Sequence, residues 1–490
     1  MPTLTRRLKG KGSRSTLSST LSLASSRWKH TWFLLLIMTI GMVAAVIIVC
    51  TVPLFANVMN TAGLRHELKA NPNSAEIEIN TITSGLSTHV ATNVHDIFAN
   101  LIKQDLGDLA QPSQFTVISS DYAFATPSKD TQNLLLYGAS MQQAASHLGQ
   151  VQGHLAQITT AQQHEIEVMM TPDSAQKLGL KVGDTFPLQL IFSLNLSGSS
   201  HTQAITARVA GLFSVNAANA AYWHGEDFKH FQAGNAQGTV YSYTMLVPNE
   251  SLLSIADGLS AQYQTKAIFS SGATLRWYYQ LDVPHVNINQ LDTLIGDCAS
   301  LQADYTSNFG YLGDGRAPAD PVFPYLSNAQ LSSPLLSGNN NPSNLENFRS
   351  RIDVVQVPTM LLTIQIILLI LFFVSLITSL LIESQASAIA LLRSRGASNS
   401  QVFGSLFAHC VTLGIVAVLI GVPLTILTAV LLAQHFLPAE ARDAITLLTN
   451  SPWQAAEQII WYAVGIFLVM LLTMAVSLYF AARMDVLALR

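Results

Sequence analysis

Four predominantly apolar runs, each without an Asp, Glu, Lys or Arg, constrain this chain more than anything else: Trp32–Val52, then 354–382, 401–434 and 458–482. Each is long enough for the roughly 20 residues that a helix needs to cross a bilayer. Between the first run and the second lie residues 54–353, of ordinary soluble composition, with polar stretches such as LSGSS at 196–200 and SGNNNPSN at 337–344. The reading is therefore a helical membrane protein. Four transmembrane helices, at 31–53, 354–382, 401–434 and 458–482, carry a large mixed α+β domain inserted between helices 1 and 2. That domain is either one body or two smaller ones. The first run exceeds the apolar core of a signal peptide, about 7 to 15 residues, so it is read as a retained span. Trp28 and Trp32 stand at its start as interfacial anchors.

Composition agrees. Hydrophobic residues make up 49% and charged residues 11%, and mean hydropathy is positive. The net charge of −4 is unevenly spread. Seven of the 25 Lys and Arg fall in residues 1–30, which hold no acid, leaving 18 basic against 29 acidic side chains elsewhere. Nucleic acid is thus not expected as a partner, since no basic surface remains outside the tail. The same asymmetry predicts orientation, because Lys and Arg mark the cytoplasmic ends of spans. Arg393 and Arg395 lie in the 383–400 loop and Arg483 and Arg490 at the C-terminus, whereas the 435–457 loop holds Glu440, Asp443 and Glu457 against Arg442. Both termini and the 383–400 loop are expected in the cytoplasm of a multi-pass cell-membrane protein, with the domain and the 435–457 loop outside.

Within the spans His409 is the one group, cysteines aside, that titrates near neutrality. Its place near the start of a long run suits an interfacial or packing role better than a proton relay. Pro423 is expected to kink the third span or mark a boundary in it. Cys50, Cys298 and Cys410 provide no disulfide framework, and Cys298 reads as a buried apolar side chain.

In the domain, Thr61–Ala70 and Ser343–Val357 have helical composition and continue spans one and two, so they are expected as a stalk. Leu345, Phe348 and Ile352 would share one apolar face of the second. Ile166–Met170 reads as a strand. Thr171, Pro172 and Gly179 read as the cap, first residue and stop of a short helix, and Gly183-Asp184 as a turn. Strands are expected over Phe186–Leu194, Gln203–Phe213 and Ile268–Asp282, and a helix over Ile288–Tyr305. His224, Glu226 and Asp227 are conceivable metal ligands, but three polar residues in one loop are read as a solvated turn; His154 and His285 are read the same way.

No phosphate-cradling loop, zinc-protease, serine-hydrolase or paired-cysteine motif is present, so no covalent chemistry is expected. A short connection remains to be explained. In Ser384–Gln401, Ala386, Ile389, Ala390 and Arg393 share a helical face, and Gly396 is a natural stop.

One span, an outward domain and three spans, with IALLRSRGAS at 389–398 between spans two and three, resemble the FtsX-like and MacB-like permease subunits of ABC transporters. AQKLGLKVGDTFPL at 175–188, RVAGLF at 208–213 and the ending ARMDVLALR at 482–490 add to the likeness. Ala388 stands where the family usually carries an acid. The resemblance implies a non-catalytic subunit without cofactors of its own, ATP being bound by a cytoplasmic ATPase dimer on partner chains. It implies a coupling helix at 383–400 whose interface residues are Ile389, Leu392, Arg393, Arg395 and Gly396. A second permease copy or paralogue and an extracytoplasmic cargo or regulated partner would complete the assembly. A membrane-anchored sensor or scaffold without an ATPase is the alternative reading.

Overall fold

The computed structural model of this chain describes residues 14–71, 73–83, 85–119, 124–125, 132–160, 165–193, 200–215, 217–229, 231–235, 238–263, 268–269, 272–309, 326–336, 341–384, 399–450 and 452–483. In chain order its elements are α1 (Arg14–Ala70), β1 (Glu76–Thr83), α2 (Thr88–Leu106), β2 (Ala110–Ser119), β3 (Phe124–Ala125), β4 (Gln132–Ala139), α3 (Met141–Ala144), β5 (Leu148–Gly153), β6 (Glu165–Met170), α4 (Pro172–Leu178), β7 (Thr185–Ser193) and β8 (Ser200–Val215). They continue with β9 (Phe231–Asn235), β10 (Gly238–Pro248), α5 (Asn249–Tyr263), β11 (Ile268–Phe269), β12 (Ala273–Leu281), α6 (Leu291–Phe309), β13 (Leu326–Ser332), α7 (Asn344–Ser384), α8 (Asn399–Phe436), α9 (Thr446–Asn450) and α10 (Pro452–Arg483). The chain divides into two compact units, residues 1–64 with 350–490, and residues 65–349.

Residues 65–349 are built on one interleaved sheet. β1 lies between β12 and β13 and runs antiparallel to both, and β12 lies between β1 and β2. β1 and β2 are therefore parallel and joined through α2, as β12 and β13 are through α6. Two split β-α-β units thus interlock, giving the ferredoxin-like order β13-β1-β12-β2. All of β3 to β11 is inserted between β2 and β12. Strands β4, β3, β7, β8, β6 and β10 pair in sequence, and β4 also pairs with β10, which closes the insertion into a ring.

Strand alternation decides what each face of the first sheet meets. On one face Ile77, Ile79, Leu275, Trp277 and Tyr279 point at the two helices and are buried. Phe98 of α2 packs within 6.1 Å of Trp277 and 4.8 Å of Phe309 by ring centroid, and Phe115 stacks on Trp277 at 5.2 Å. α2 earns its place by spacing: Val90, Val94, Phe98, Ile102 and Leu106 fall on one stripe. Ser87 caps it, its hydroxyl accepting from the Val90 N–H. The opposite face carries Glu76, Glu78, Asn80, Gln114, Thr116, Arg276 and Tyr278, brought side by side by the registers of β1, β12 and β2.

The local readings around 165–213 hold. β6 spans Glu165–Met170; Thr171 caps α4 by accepting from the Ser174 N–H, Pro172 opens it, and Gly179 ends it at φ 71°. Gly183 turns at φ 91° into β7, which pairs antiparallel with β8. Farther on, the 268–282 stretch is two strands rather than one, and the helix expected from Ile288 begins with a 3-10 turn, Ile288–Gln290, before α6. Cys298 is buried in α6, and burial pushes its thiol up to about 12.

Among the described residues four helices are long and apolar enough to cross a membrane: Leu36–Ala70, Asn344–Leu380, Cys410–Phe436 and Ala455–Ser477. α1 continues past its apolar run to Ala70, and α7 begins at Asn344, so the expected stalk segments are ends of the span helices themselves. Ser343 and Glu346 form a reciprocal capping box at the start of α7. Pro53, Pro358 and Pro423 all sit inside helices, and α8 runs on past Pro423 without ending there. Beside it, the Thr425 hydroxyl donates to the Gly421 carbonyl at 2.8 Å.

Replacing Phe98 by Ala should destabilise the domain by about 3 to 5 kcal/mol, since a packed aromatic is lost from between two helices and the sheet. Thr171→Ala, which removes only a helix cap, should cost about 1 kcal/mol. Denaturant unfolding of the detergent-purified chain, followed by tryptophan fluorescence, measures the ratio.

Candidate functional site

Two places concentrate polar or close-packed features that a simple anchored domain would not need. The first is the helix bundle of α1, α7, α8 and α10. Hydroxyls and amides bond across it: Thr51 with Thr428 at 3.1 Å, Ser375 with Ser477 at 3.4 Å, and the Asn57 amide with the Gln458 side-chain oxygen at 3.3 Å. Such bonds hold helices together where lipid supplies no hydrophobic drive. Three glycines let backbones approach. A Cβ at Gly421 would fall 2.7 Å from Val46 Cγ1, one at Gly414 would meet the Phe467 ring at 2.5 Å, and one at Gly41 the Phe373 ring at 3.0 Å. Around them Met42, Val46, Cys50, Ala417, Ala463 and Met470 are buried. α7 ends at Ser384 and α8 begins at Asn399. Ile389, Leu392, Arg393, Arg395 and Gly396 lie between these ends and outside the described residues, as does the side chain of His409.

The second place is the polar face of the sheet in residues 65–349, and it overturns part of the sequence reading. His224 does not sit in a solvated turn; its side chain is only 11% exposed. Its ring lies flat on Tyr278, with centroids 3.6 Å apart and an interplanar angle of 1°. Nδ1 is 3.5 Å from a Glu76 carboxylate oxygen and 3.4 Å from the Asn73 amide, and Nε2 is 3.2 Å from Oε1 of Gln114. Arg276 pairs with Glu78 at 3.7 Å beside it. Burial, with the nearby Glu78 charge, pushes the Glu76 carboxyl up to about 7. Burial, with Arg276, pushes His224 down to about 4.

Aromatic anchors hold the segment carrying His224. Trp223 and Phe228 are fully buried, and Phe228 meets Tyr137, Phe213 and Trp223 edge-on at 5.2, 5.1 and 5.0 Å. The rest of the suggested ligand set does not converge. Asp227 faces out and pairs with Lys229 at 3.0 Å, and a Glu226 oxygen accepts from the Phe228 N–H. His285 is exposed and bonds Asp282 at 2.7 Å, and exposed His154 bonds the Leu155 carbonyl. Among the described residues no three His, Cys, Asp or Glu side chains are grouped to hold a metal ion. Sequence reasoning missed Glu76, Gln114 and Tyr278. The alternation EIEIN at 76–80 puts acids on the face that is not apolar and was the available signal.

Residues 360–486 match the FtsX-like permease C-terminal family. That stretch is similar to the C-terminal part of FtsX-like permeases. The matched stretch takes in most of α7, all of α8 and α10, and the connections between them. Comparison with curated proteins yields no match. Among solved structures, the periplasmic region of MacB from Actinobacillus actinomycetemcomitans aligns at 13% identity with a TM-score of 0.23, covering 49% of this chain and 86% of that one.

In the helix bundle Gly421→Ala should lower stability by about 1 to 3 kcal/mol, because its new methyl has the branched Val46 in its path. Gly465→Ala, on α10 with nothing within 4 Å of a new Cβ, should instead be neutral or stabilise by up to about 1 kcal/mol through helix propensity. Thermal melts of the two purified variants in one detergent distinguish these outcomes.

Proposed function

We propose that this chain is the permease subunit of an ABC transporter, driven by an ATPase on a separate chain. The observation that carries the reading is the match of 360–486 to the FtsX-like permease family. The ATPase dimer docks on the 383–400 connection, with Ile389, Leu392, Arg393, Arg395 and Gly396 at the interface. The basic residues there and at both chain ends support a cytoplasmic position for that connection and for the termini. Closure of the ATPase dimer on ATP displaces this connection.

The geometry supports mechanical transmission. α7 is one helix of 41 residues, about 60 Å at 1.5 Å per residue, from Ser384 to the start of the inserted domain. α1 likewise enters the domain without a break, and Arg65 near its end is buried and donates to the Val286 carbonyl at 2.9 Å. A push on the coupling connection would reach the domain along these helices, where it extracts or exports a cargo, or regulates a partner outside the cytoplasm.

A second permease copy or paralogue completes the assembly, because an ATPase dimer offers two docking surfaces and symmetric assemblies are common.

Purification of the tagged chain from native membranes should recover an ATPase subunit, and Arg393→Glu with Gly396→Pro should reduce its recovery about tenfold or more, the equivalent of 1.4 kcal/mol at the interface. Recovery of no ATPase, together with unchanged activity of the double variant, would overturn the reading in favour of an anchored sensor or scaffold.

A further inference from the structure

We propose that Glu76 and His224 hold one proton between them, and that this shared proton latches the 217–229 segment onto the turn where α1 gives way to β1. The inference concerns the inserted domain and stands apart from the ATPase reading.

Hydrogen bonding fixes the proton count. The Gln114 amide nitrogen donates to the Thr116 hydroxyl at 3.4 Å, which leaves its oxygen turned to His224 Nε2 at 3.2 Å. Nε2 therefore carries a hydrogen. Nδ1 then faces the Glu76 oxygen at 3.5 Å and the Asn73 side-chain nitrogen, a donor, at 3.4 Å. With one proton in the contact, Nδ1 therefore accepts and the Glu76 carboxylic acid donates to the ring. With none, a carboxylate faces a nitrogen lone pair. With two, both groups present hydrogens to each other.

The contact ties together parts far apart in sequence. Asn73 and Glu76 flank the turn between α1 and β1, and Ser74 and Glu76 close that turn with backbone bonds to Asn71 and Asn73. His224 comes from the segment inserted between β8 and β9. The groups facing the pair are Glu78 from β1, Gln114 and Thr116 from β2, Arg276 and Tyr278 from β12, and Asn73 from the turn. The segment itself is under backbone strain. His224 and Phe228 are at φ 48° and 55°, the two non-glycine residues at positive φ among those described, and each such residue costs on the order of 1 kcal/mol or more. Loss of the shared proton removes an attraction that offsets this strain.

Linkage gives the pH behaviour. Latched, Glu76 titrates near 7 and His224 near 4; released, they return toward the ordinary 4.5 and 6.5. The raised Glu76 stabilises the latch fully below about 4.5, and that contribution is lost as pH rises toward 7. The depressed His224 acts oppositely, stabilising above about 6.5 and losing its contribution as pH falls toward 4. Between 4.5 and 6.5 the latched pair keeps its proton on one set of atoms and the released pair on His224, so both states bind one proton and latch stability is level. The turn that receives α1 is thereby insulated from pH across this window.

Hydrogen exchange on the full-length chain in detergent tests this, with rates for peptides covering 217–229 and 73–78 corrected for intrinsic exchange chemistry. Wild type should show level protection from pH 4.5 to 6.5. Glu76→Gln should lose protection as pH falls below 6.5, and His224→Gln as pH rises above 4.5, each by up to about tenfold per pH unit. The double variant should be level again, with lower protection. A merely structural contact would make both single variants weaker by the same factor at every pH. Level single-variant profiles, or a wild-type slope as steep as either single variant, would overturn the proposal. If Glu76→Gln does not fold, the double variant decides: a sloped profile there shows that other groups carry the pH dependence.

Discussion

The antiparallel pairing of β1 with β12 is the constraint on which the inserted domain depends. It sets Glu76 opposite Gln280 and Thr83 opposite Ala273, joining stretches some 200 residues apart. The same strand binds β13 along its other edge, so the N-terminal strand of the domain is central in the sheet and the last strand lies beside it. Consequently the chain leaves the domain next to where it entered. Contacts of such long range cost loop-closure entropy before they return any stability. Burial of Trp277, Phe98, Tyr305 and Phe309 against the helix-bearing face is what offsets that cost.

That sheet has two faces because strand residues alternate, and the two faces do different work. One is an apolar seat for α2 and α6. The other is a row of acids, amides and hydroxyls that would be costly to bury without partners. The 217–229 segment covers it by driving Trp223 and Phe228 into the ring-shaped insertion while laying His224 on Tyr278. The cover and the strained backbone come together. The segment adopts positive φ at His224 and Phe228, where two aromatic anchors and one histidine within six residues reach different partners. In the helix bundle small residues and interhelical hydroxyl pairs add to apolar burial, because lipid is as apolar as the side chains.

Much of this was legible in the sequence wherever a local rule decides the outcome. Thr171-Pro172 with Gly179 predicted a seven-residue helix, since capping, proline at the first turn and a left-handed stop act within a few residues. The apolar runs predicted the spans by length. What local reasoning misjudged was His224. A Trp-His-Gly-Glu-Asp stretch looks like a polar turn, and nothing near it in sequence says that β1 and β12 will present Glu76 and Tyr278 to its imidazole. Pro423, expected to kink the third span or mark a boundary in it, lies inside α8, which continues to Phe436. In a bilayer the helix has no alternative hydrogen-bonding partner to turn to, so one missing N–H does not end it.

By itself the sequence determined that four segments are long and apolar enough to span, and that some 300 residues of ordinary soluble composition sit between the first two. Length, hydropathy and spacing act locally, and they suffice for that. Only the tertiary structure decided that the domain interleaves two β-α-β units around a closed insertion, and that one buried carboxyl meets one buried imidazole beside the end of α1. Those outcomes follow from strand registers between distant segments, and register is settled by which faces can be buried together once the chain has closed.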